Sequence, residues 1–218
     1  TQYAVTLYAG TPDKYGATLG RATTVRFATG DLAPLAWLTT VARLSTYSTY
    51  TDTVAYASYR NVSRLDVKLY RLSLRTFINL NTRWEAWDRF VPAGSDLVRE
   101  WSLNVRAPRN ETRLARLELT AADGSALPPG LYYMELTSPE VAKRQPSDAG
   151  WRSMFVKSGL NLTLKQTESE ALVWATDLAS GQPVSGLPIT LYTTGGDVDA
   201  GGRTDRDVPD EQGEQVEL

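Results

Sequence analysis

Cysteine and histidine are both absent from the 218 residues of the chain. Without cysteine there is no disulfide, thiol nucleophile, iron–sulfur site or cysteine-ligated zinc site. Without histidine there is no Ser-His-Asp triad, no imidazole general base and no usual zinc ligand set. Carboxylate, lysine and tyrosine chemistry stays open, but the commonest hydrolytic sites are excluded.

An excess of either charge is also missing. The 23 Lys and Arg residues are scattered among 25 Asp and Glu residues, and the net charge is −2. A nucleic-acid surface or a polybasic membrane patch needs clustered cations, so neither is predicted. No apolar run approaches the ~18 residues that a membrane-spanning helix needs, and no N-terminal signal pattern is visible. Because strand-like patterns begin at Thr1 and stop near Leu218, we interpret the chain as a fragment of a larger protein.

Alternation of apolar and polar residues is abundant. A period of two is the spacing of half-buried β-strands, and the Thr, Val, Tyr and Trp that accompany it favour strands. The alternating apolar residues are Tyr3, Val5 and Leu7; Val25 and Phe27; Leu65, Val67 and Leu69; Ala115, Leu117 and Leu119; Leu160, Leu162 and Leu164; and Leu187, Ile189 and Leu191. Turn-forming segments separate these runs. The pattern predicts an all-β fold of tandem antiparallel β-sandwich modules.

One segment, Leu74–Gly94, departs from this alternation. Leu74, Phe77 and Ile78 fall at helical spacing, and Trp84, Trp87, Phe90 and Val91 do so again before Pro92 ends the pattern. The segment predicts a short helical insertion between strands. Its two tryptophans are expected on one face, where packing is favoured over an aromatic ligand platform.

Changes of composition predict the module boundaries. Thr29–Pro34 ends a strand and then brings Gly, Asp and Pro, while Ser158 and Gly159 separate two strand patterns. The polar segment Ser138–Trp151 has no period and is interpreted as a surface loop. We therefore expect three units, at residues 1–34, 35–157 and 158–218.

Two stretches carry distinctive turn chemistry. In Gly181–Gly186, Gly-Gln-Pro-Val-Ser-Gly, the first glycine can take a positive φ, Pro183 fixes its own φ, and the last glycine releases the chain into the next strand. Leu127–Pro139 starts a strand whose Tyr132 and Tyr133 point to opposite faces.

These motifs support resemblances to known bacterial proteins. Tyr3–Gly30 resembles the second half of a bacterial Ig-like domain, with Asp13 and Gly16 in its Asp-x-x-Gly turn. Val173–Tyr192 resembles the macroglobulin-type β-sandwich modules of bacterial alpha-2-macroglobulins, in which Val-x-x-x-Asp-Leu runs into Gly-x-Pro-Val-x-Gly and a strand ending Leu-Tyr. Tyr59–Leu72 and the strand after Leu127 are similar to the preceding module. The resemblance implies the end of an Ig-like domain at 1–34, a complete macroglobulin-type sandwich at 35–157 and the start of a second at 158–218.

What the resemblance implies is a non-catalytic scaffold fragment of a broad-spectrum protease inhibitor, a trap that rearranges after a protease cuts its bait region. The expected partners are neighbouring domains of the same chain and, for the full-length protein, proteases. The expected location is extracytoplasmic, in the periplasm or at the cell surface. The alternatives are a tandem Ig-like adhesin or surface-layer module that binds glycan or protein, and a carboxylate enzyme.

No catalytic, cofactor or metal residue is predicted. Gly213-Glu214-Gln215 matches part of the thioester motif of this family, but Gln212 stands where the cysteine would be, so a thioester cannot form. An acidic cluster could offer calcium ligands but lacks EF-hand spacing and is interpreted as a solvated loop; it comprises Asp197, Asp199, Asp205, Asp207, Asp210 and Glu211.

The tyrosine pairs Tyr47/Tyr50 and Tyr56/Tyr59 are each three residues apart, which places the two members of a pair on opposite faces of a strand. Glycosylation sequons at Asn61, Asn110 and Asn161 are interpreted as chance matches.

Overall fold

A computed structural model describes residues 1–39, 43–144, 150–167, 170–192, 198–203 and 215–217. The chain is mostly β, with several antiparallel sheets and few helices, so the predicted fold class is confirmed. The strands are β1 Gln2–Leu7, β2 Thr23–Ala28, β3 Leu35–Leu38, β4 Leu44–Ser48, β5 Val54–Arg60, β6 Arg64–Leu72, β7 Leu97–Asn104, β8 Arg113–Glu118, β9 Gly130–Thr137, β10 Gly150–Ser158, β11 Leu160–Gln166, β12 Glu170–Asp177, β13 Pro188–Tyr192, β14 Val198–Arg203 and β15 Gln215–Glu217. The helices are α1 Leu74–Thr82, α2 Trp84–Arg89 and α3 Pro139–Arg144, with a 3₁₀ turn at Gly94–Asp96.

The central unit is a sandwich of two sheets. A five-stranded sheet has the order β4-β10-β9-β6-β7, and a three-stranded sheet has the order β3-β5-β8. Alternating side chains of both sheets fill the space between them, including Leu65, Val67 and Leu69 of β6 and Leu117 of β8. Burying each such side chain contributes about 1.5–3 kcal/mol. The predicted alternation in these strands is therefore confirmed as the core of the unit.

The other face of the five-stranded sheet is covered by the helical insertion. Tyr70 and Leu72 of β6 and Tyr133 of β9 pack there against Leu80 of α1 and Trp87 of α2. Tyr132, next in sequence to Tyr133, lies in the sandwich core instead, which confirms the expected opposite orientation of the two tyrosines. Burial raises the pKa of the Tyr133 hydroxyl.

The insertion consists of two helices because the chain breaks between them. Ser73 caps α1 by accepting a hydrogen bond from the Thr76 amide at 3.1 Å. Arg83 then takes an extended conformation, which ends α1 and starts α2. The prediction of a helical insertion is confirmed, and none of the described helices has the length and hydropathy to cross a membrane.

The expectation that Trp84 and Trp87 share a packed face is wrong for Trp84. Trp87 is 6% exposed, but Trp84 is 65% exposed. Trp84 opens α2 at the rim of the insertion and has its ring on the guanidinium of Arg43, 5.3 Å from the ring centroid. The same guanidinium lies 4.9 Å from the centroid of Trp87, so one arginine contacts both indoles.

Two further expectations need correction. The sheets are not purely antiparallel, because β4 and β10 pair in parallel. The polar segment that begins at Ser138 is not all loop, because α3 occupies its start. Glu140 in the first turn of α3 accepts hydrogen bonds from Ser63 and Ser138. A partner far away in the sequence thus fixes a helix that local periodicity does not reveal.

Smaller sheets flank the central unit. At the N-terminal side, β1 and β2 form an antiparallel hairpin. Asp13 closes its turn by accepting hydrogen bonds from the amides of Tyr15 and Ala17, and Gly16 has φ +89°, as the Asp-x-x-Gly motif predicts. At the C-terminal side, one sheet has the order β11-β12-β15 and another pairs β13 with β14. Ser158 ends β10 and Leu160 begins β11 in a different sheet.

Candidate functional site: the two junctions of the central unit

The described residues contain no group of three or more acidic side chains placed to hold a metal ion. Most of the predicted acidic cluster lies outside the described residues; this holds for Asp197, Asp205, Asp207, Asp210 and Glu211. Of Asp199 only the backbone, within β14, is described. Instead, polar side chains converge where the central unit meets its neighbours. We call these places the N-terminal junction (residues 29–34 with Asn61 and Asn110) and the C-terminal junction (Tyr50, Gly159 and Asp177).

Two asparagines form the N-terminal junction. Asn61 lies in the β5–β6 turn and Asn110 in the β7–β8 connection, with φ values of 53° and 66°. Asparagine tolerates this left-handed region better than most residues. The backbone N–H of Asn110 donates to Oδ1 of Asn61 at 2.8 Å, and the side-chain Nδ2 of Asn61 donates to Oδ1 of Asn110 at 2.9 Å. The two turns are therefore joined by reciprocal hydrogen bonds.

The same pair binds the linker that follows β2. The Leu32 amide donates to Oδ1 of Asn110 at 2.8 Å, and Nδ2 of Asn61 donates to the Leu32 carbonyl at 2.7 Å. The Arg60 guanidinium donates to the carbonyl of Ala33 at 3.3 Å. Arg109 forms an ion pair with Asp31, and its hydrogen bond lowers the pKa of that carboxyl. The linker is thus bound through both its backbone and one side chain.

This geometry gives two of the sequon asparagines a structural role. Nδ2 of Asn61 uses both of its hydrogens, one toward Leu32 and one toward Asn110. A glycan on that nitrogen would remove one hydrogen and so break one of these two hydrogen bonds. The hydrogen bonding therefore agrees with the interpretation of the Asn61 sequon as a chance match. No local sequence pattern predicts the pairing of Asn61 with Asn110, because 49 residues separate them.

The C-terminal junction contains a hydrogen bond between units. The Tyr50 hydroxyl, in the loop after β4, donates to Oδ2 of Asp177 at the end of β12 at 2.5 Å. Oδ1 of Asp177 accepts from the Ser180 amide at 2.8 Å and from the Ser180 hydroxyl at 2.9 Å. These hydrogen bonds, with that from Tyr50 the largest contribution, hold the pKa of Asp177 at about 2. Asp177 is the aspartate of the Val-x-x-x-Asp-Leu motif, so the motif carries a contact as well as a turn.

Gly159 allows the two units to approach at this junction. A Cβ built on it would lie 2.9 Å from Oγ1 of Thr49 and 3.3 Å from the hydroxyl of Tyr50. The backbone on either side is fixed, since the Thr49 amide donates to the Ser158 carbonyl at 3.0 Å and the Leu178 amide donates to the Gly159 carbonyl at 2.8 Å. A side chain at residue 159 would therefore collide with the loop that holds Tyr50.

The predicted turn chemistry next to the junction is confirmed. Gly181 has φ +71° and Gly186 has φ +72°. The Gly181 amide donates to the Asp177 carbonyl at 2.8 Å, which closes the turn on the residue that Tyr50 contacts. Ser185, in the same turn, is half-buried.

The predicted tyrosine dispersion is also confirmed. Tyr56 is exposed and Tyr59 is buried on β5, while Tyr47 packs edge-on against Phe155 and Tyr50 is directed to Asp177. These tyrosines do not form a stacking platform. Tyr47 and Tyr59 pack in or against the core, Tyr50 belongs to the C-terminal junction and Tyr56 lies on the surface.

No family model and no curated protein sequence matches the chain. Solved structures of bacterial alpha-2-macroglobulins are similar to it. A crystal structure of Salmonella alpha-2-macroglobulin reacted with methylamine matches with TM-score 0.69 and 19% identity over 100% of this chain and 12% of that one. Native alpha-2-macroglobulin from Escherichia coli spanning domains MG0-NIE-MG1 matches with TM-score 0.66 and 16% identity over 99% of this chain and 67% of that one. A shorter Escherichia coli structure, spanning NIE-MG1, matches with TM-score 0.57 and 13% identity over 87% of this chain and 89% of that one.

The likeness extends over nearly the whole chain, although the chain spans only 12% of the length of the Salmonella protein. At these identities the likeness concerns the fold. The resemblance that the sequence motifs predict is confirmed at that level: the chain has an alpha-2-macroglobulin-like fold.

Proposed function

We propose that this chain is a non-catalytic framework segment of an alpha-2-macroglobulin-like protease inhibitor. The observation that carries the proposal is the fold likeness to bacterial alpha-2-macroglobulins along 99–100% of the chain. The absence of histidine and cysteine from the sequence is consistent with a framework role. In a trap that rearranges after bait cleavage, such a segment holds neighbouring domains in a fixed relation or lets that relation change. The two junctions are the places where this control would act.

The boundaries 1–34, 35–157 and 158–218 are part of the proposal. The Escherichia coli structure that includes MG0 covers 99% of the chain and the one without it covers 87%. The difference of 12% of 218 residues is about 26 residues, close to the length of the β1–β2 hairpin with its turn. We infer that the hairpin corresponds to the end of MG0, the central sandwich to NIE, and the remainder to part of MG1.

The exposed face of the hairpin supports this assignment. Tyr3, Val5, Val25 and Phe27 alternate along β1 and β2, and each is about half exposed. Tyr3 stacks on Phe27 with 5.4 Å between ring centroids, so the apolar side chains form a continuous stripe. A sheet face of this kind normally packs against a second sheet. The preceding part of the same domain would cover it.

The partners that follow from the proposal are the adjoining domains and, for the full-length inhibitor, proteases. The location that follows is extracytoplasmic, in the periplasm or at the cell surface. The proposed framework role requires no cofactor.

The test compares this chain with the longer protein that contains it. The longer protein should inhibit several unrelated endopeptidases stoichiometrically toward a large protein substrate, while this chain alone should leave every one of them active. This chain should also fail to hydrolyse peptides, esters or glycosides. Inhibition by the chain alone, or failure of the longer protein to inhibit any endopeptidase, contradicts the proposal.

A further inference from the structure

The two helices of the insertion border a groove that the framework role does not use. It has a volume of about 750 Å³. Ile78 and Phe90 are half-buried in its lining, Leu80 is buried beneath it, and Val91 at its edge is 83% exposed. The groove therefore has an apolar lining that is large enough for several side chains of a partner.

Three arginines surround this apolar lining. Arg75, Arg83 and Arg89 all line the groove, and none of its described lining residues is acidic. No hydrogen bond or ion pair joins any of the three guanidinium groups to another described side chain. Five arginines elsewhere in the described chain are paired with carboxylates; these are Arg64, Arg109, Arg113, Arg116 and Arg152. The groove thus concentrates positive charge in a chain whose net charge is −2.

The insertion is firmly attached to the sheet, so the groove is preformed. Arg43 donates to the Asn81 carbonyl at 2.8 Å and its guanidinium contacts the ring of Trp87. Arg152 donates to the Trp87 carbonyl at 2.9 Å and its guanidinium lies 5.4 Å from the same ring centroid. Arg43 and Arg152 therefore both hold the insertion at the buried indole of Trp87. A partner would bind to helices that are already in place, so binding would not have to order them.

We propose that this groove docks an acidic polypeptide segment that carries apolar side chains. Carboxylates of the segment would pair with Arg75, Arg83 and Arg89, since a guanidinium offers paired donors that match a carboxylate. Its apolar side chains would cover Ile78, Phe90 and Val91. A nucleic acid or an anionic membrane is disfavoured because either needs a broader cationic surface than three arginines on a chain of net charge −2. The proposal rests on the groove and does not depend on protease inhibition.

The experiment measures binding of a short fluorescein-labelled peptide of Glu and Leu to the whole chain by fluorescence anisotropy. A Lys–Leu peptide and a Glu–Ser peptide of equal length serve as probes of charge and of apolar contact. We expect the Glu–Leu peptide to bind most tightly and its affinity to fall as salt is raised.

The variants reverse the groove charge. The triple variant R75E, R83E and R89E should weaken Glu–Leu binding at least about tenfold, because three exposed ion pairs become three repulsions. The matched control R21E, R106E and R144E alters the net charge equally at exposed sites outside the groove. It should change the affinity by less than about twofold. Val91→Ser should weaken the Glu–Leu peptide and leave the Glu–Ser peptide unchanged.

Several outcomes would overturn the proposal. They are unchanged Glu–Leu binding in the groove variant, an equal loss in the control, and equal binding of the Lys–Leu peptide. Tighter binding to vesicles of phosphatidylglycerol or to a DNA oligonucleotide than to the Glu–Leu peptide would assign the groove to a membrane or to a nucleic acid. Melting temperatures of all variants establish that the altered chains are folded. If the triple groove variant is not folded, the double groove variant R75Q with R89Q takes its place.

Discussion

The two junctions of the central unit are built from different chemistry. At the N-terminal junction, two asparagines and several backbone groups form a network around Leu32, and most of its members are uncharged amides. At the C-terminal junction, one glycine permits close approach and one tyrosine–carboxylate hydrogen bond joins the units. The neutral hydrogen bonds of the N-terminal junction do not respond to pH or salt, whereas the exposed Arg109–Asp31 ion pair beside them does. One bond to an ionised group gives a connection that conditions can weaken.

The largest effect is expected at the N-terminal junction, for Asn61→Ala. Alanine loses the three side-chain hydrogen bonds and also disfavours the φ of 53°. Together these changes should lower the free energy of unfolding by about 2–3 kcal/mol, as measured by denaturant titration. Asn61→Gly keeps the conformation and removes the hydrogen bonds, so it should cost clearly less. Equal effects of alanine and glycine would show that backbone conformation contributes nothing at this junction.

The second effect concerns the turn that supports Asp177. Gly181→Val places a β-branched residue at φ +71°, which costs about 1–3 kcal/mol. Hydrogen exchange should become faster in the unit that follows the C-terminal junction, including Ile189–Tyr192, and stay unchanged in the central unit.

The control for the turn is Ser185→Ala, which removes a half-buried hydroxyl from the same turn and should change stability by less than about 0.5 kcal/mol. Unaltered protection of Ile189–Tyr192 in Gly181→Val would contradict the role assigned to the turn.

Close approach at the C-terminal junction is tested by Gly159→Ala. The new Cβ would meet Oγ1 of Thr49 at 2.9 Å, so the Tyr50 loop must shift at a cost of about 1–2 kcal/mol. Gly30→Ala is the matched control at the N-terminal junction, because nothing lies within 4 Å of its Cβ position. Thermal unfolding should separate the two variants, and an equally stable Gly159→Ala would mean that the junction tolerates a wider spacing.

The smallest effect is expected for Tyr50→Phe, and it should be a change in pH dependence. In the intact chain the pKa of Asp177 is lowered to about 2. Its contribution to stability is complete above its ordinary pKa of 3.8 and is lost as pH falls through about 2. The pKa of Tyr50 is raised by the same bond, so its contribution is complete below its ordinary value of 10 and is lost as pH rises through the raised pKa.

Carboxyl-carbon NMR titration measures this directly. In Tyr50→Phe the pKa of Asp177 should rise toward 3.8 without reaching it, because the Ser180 bonds remain. Tyr56→Phe removes an exposed hydroxyl from β5 and should leave the titration of Asp177 unchanged. An unshifted Asp177 in Tyr50→Phe would remove the hydrogen bond from the description of this junction.

The sequence predicted those features that depend on neighbouring residues. Alternation identified the strands that contain Leu65, Val67 and Leu69, and turn chemistry identified the positive φ of Gly181. Helical spacing identified the insertion, although it could not show that Arg83 would break it and leave Trp84 exposed.

The missed features depend on residues that are far apart in the chain. Helix α3 is fixed by Ser63, which lies 77 residues from Glu140. The hydrogen bonds from Ser63 and Ser138 outweigh the burial of the Glu140 carboxyl and hold its pKa at about 2. Both junctions likewise depend on residues that are distant in the sequence. Asn61 and Asn110 are separated by 49 residues, and Tyr50 and Asp177 by 127. Periodicity carries no information about such pairs.

The parallel pairing of β4 with β10 has a mechanical consequence. β10 is hydrogen-bonded along one edge to β9 and along the other to β4, and it ends at Ser158, directly before Gly159. A pulling force applied to the unit beyond Gly159 would act along the axis of β10. The hydrogen bonds on both edges would then be loaded in shear, all at once, instead of being peeled apart one after another. The sheet would carry such a load as a stiff body.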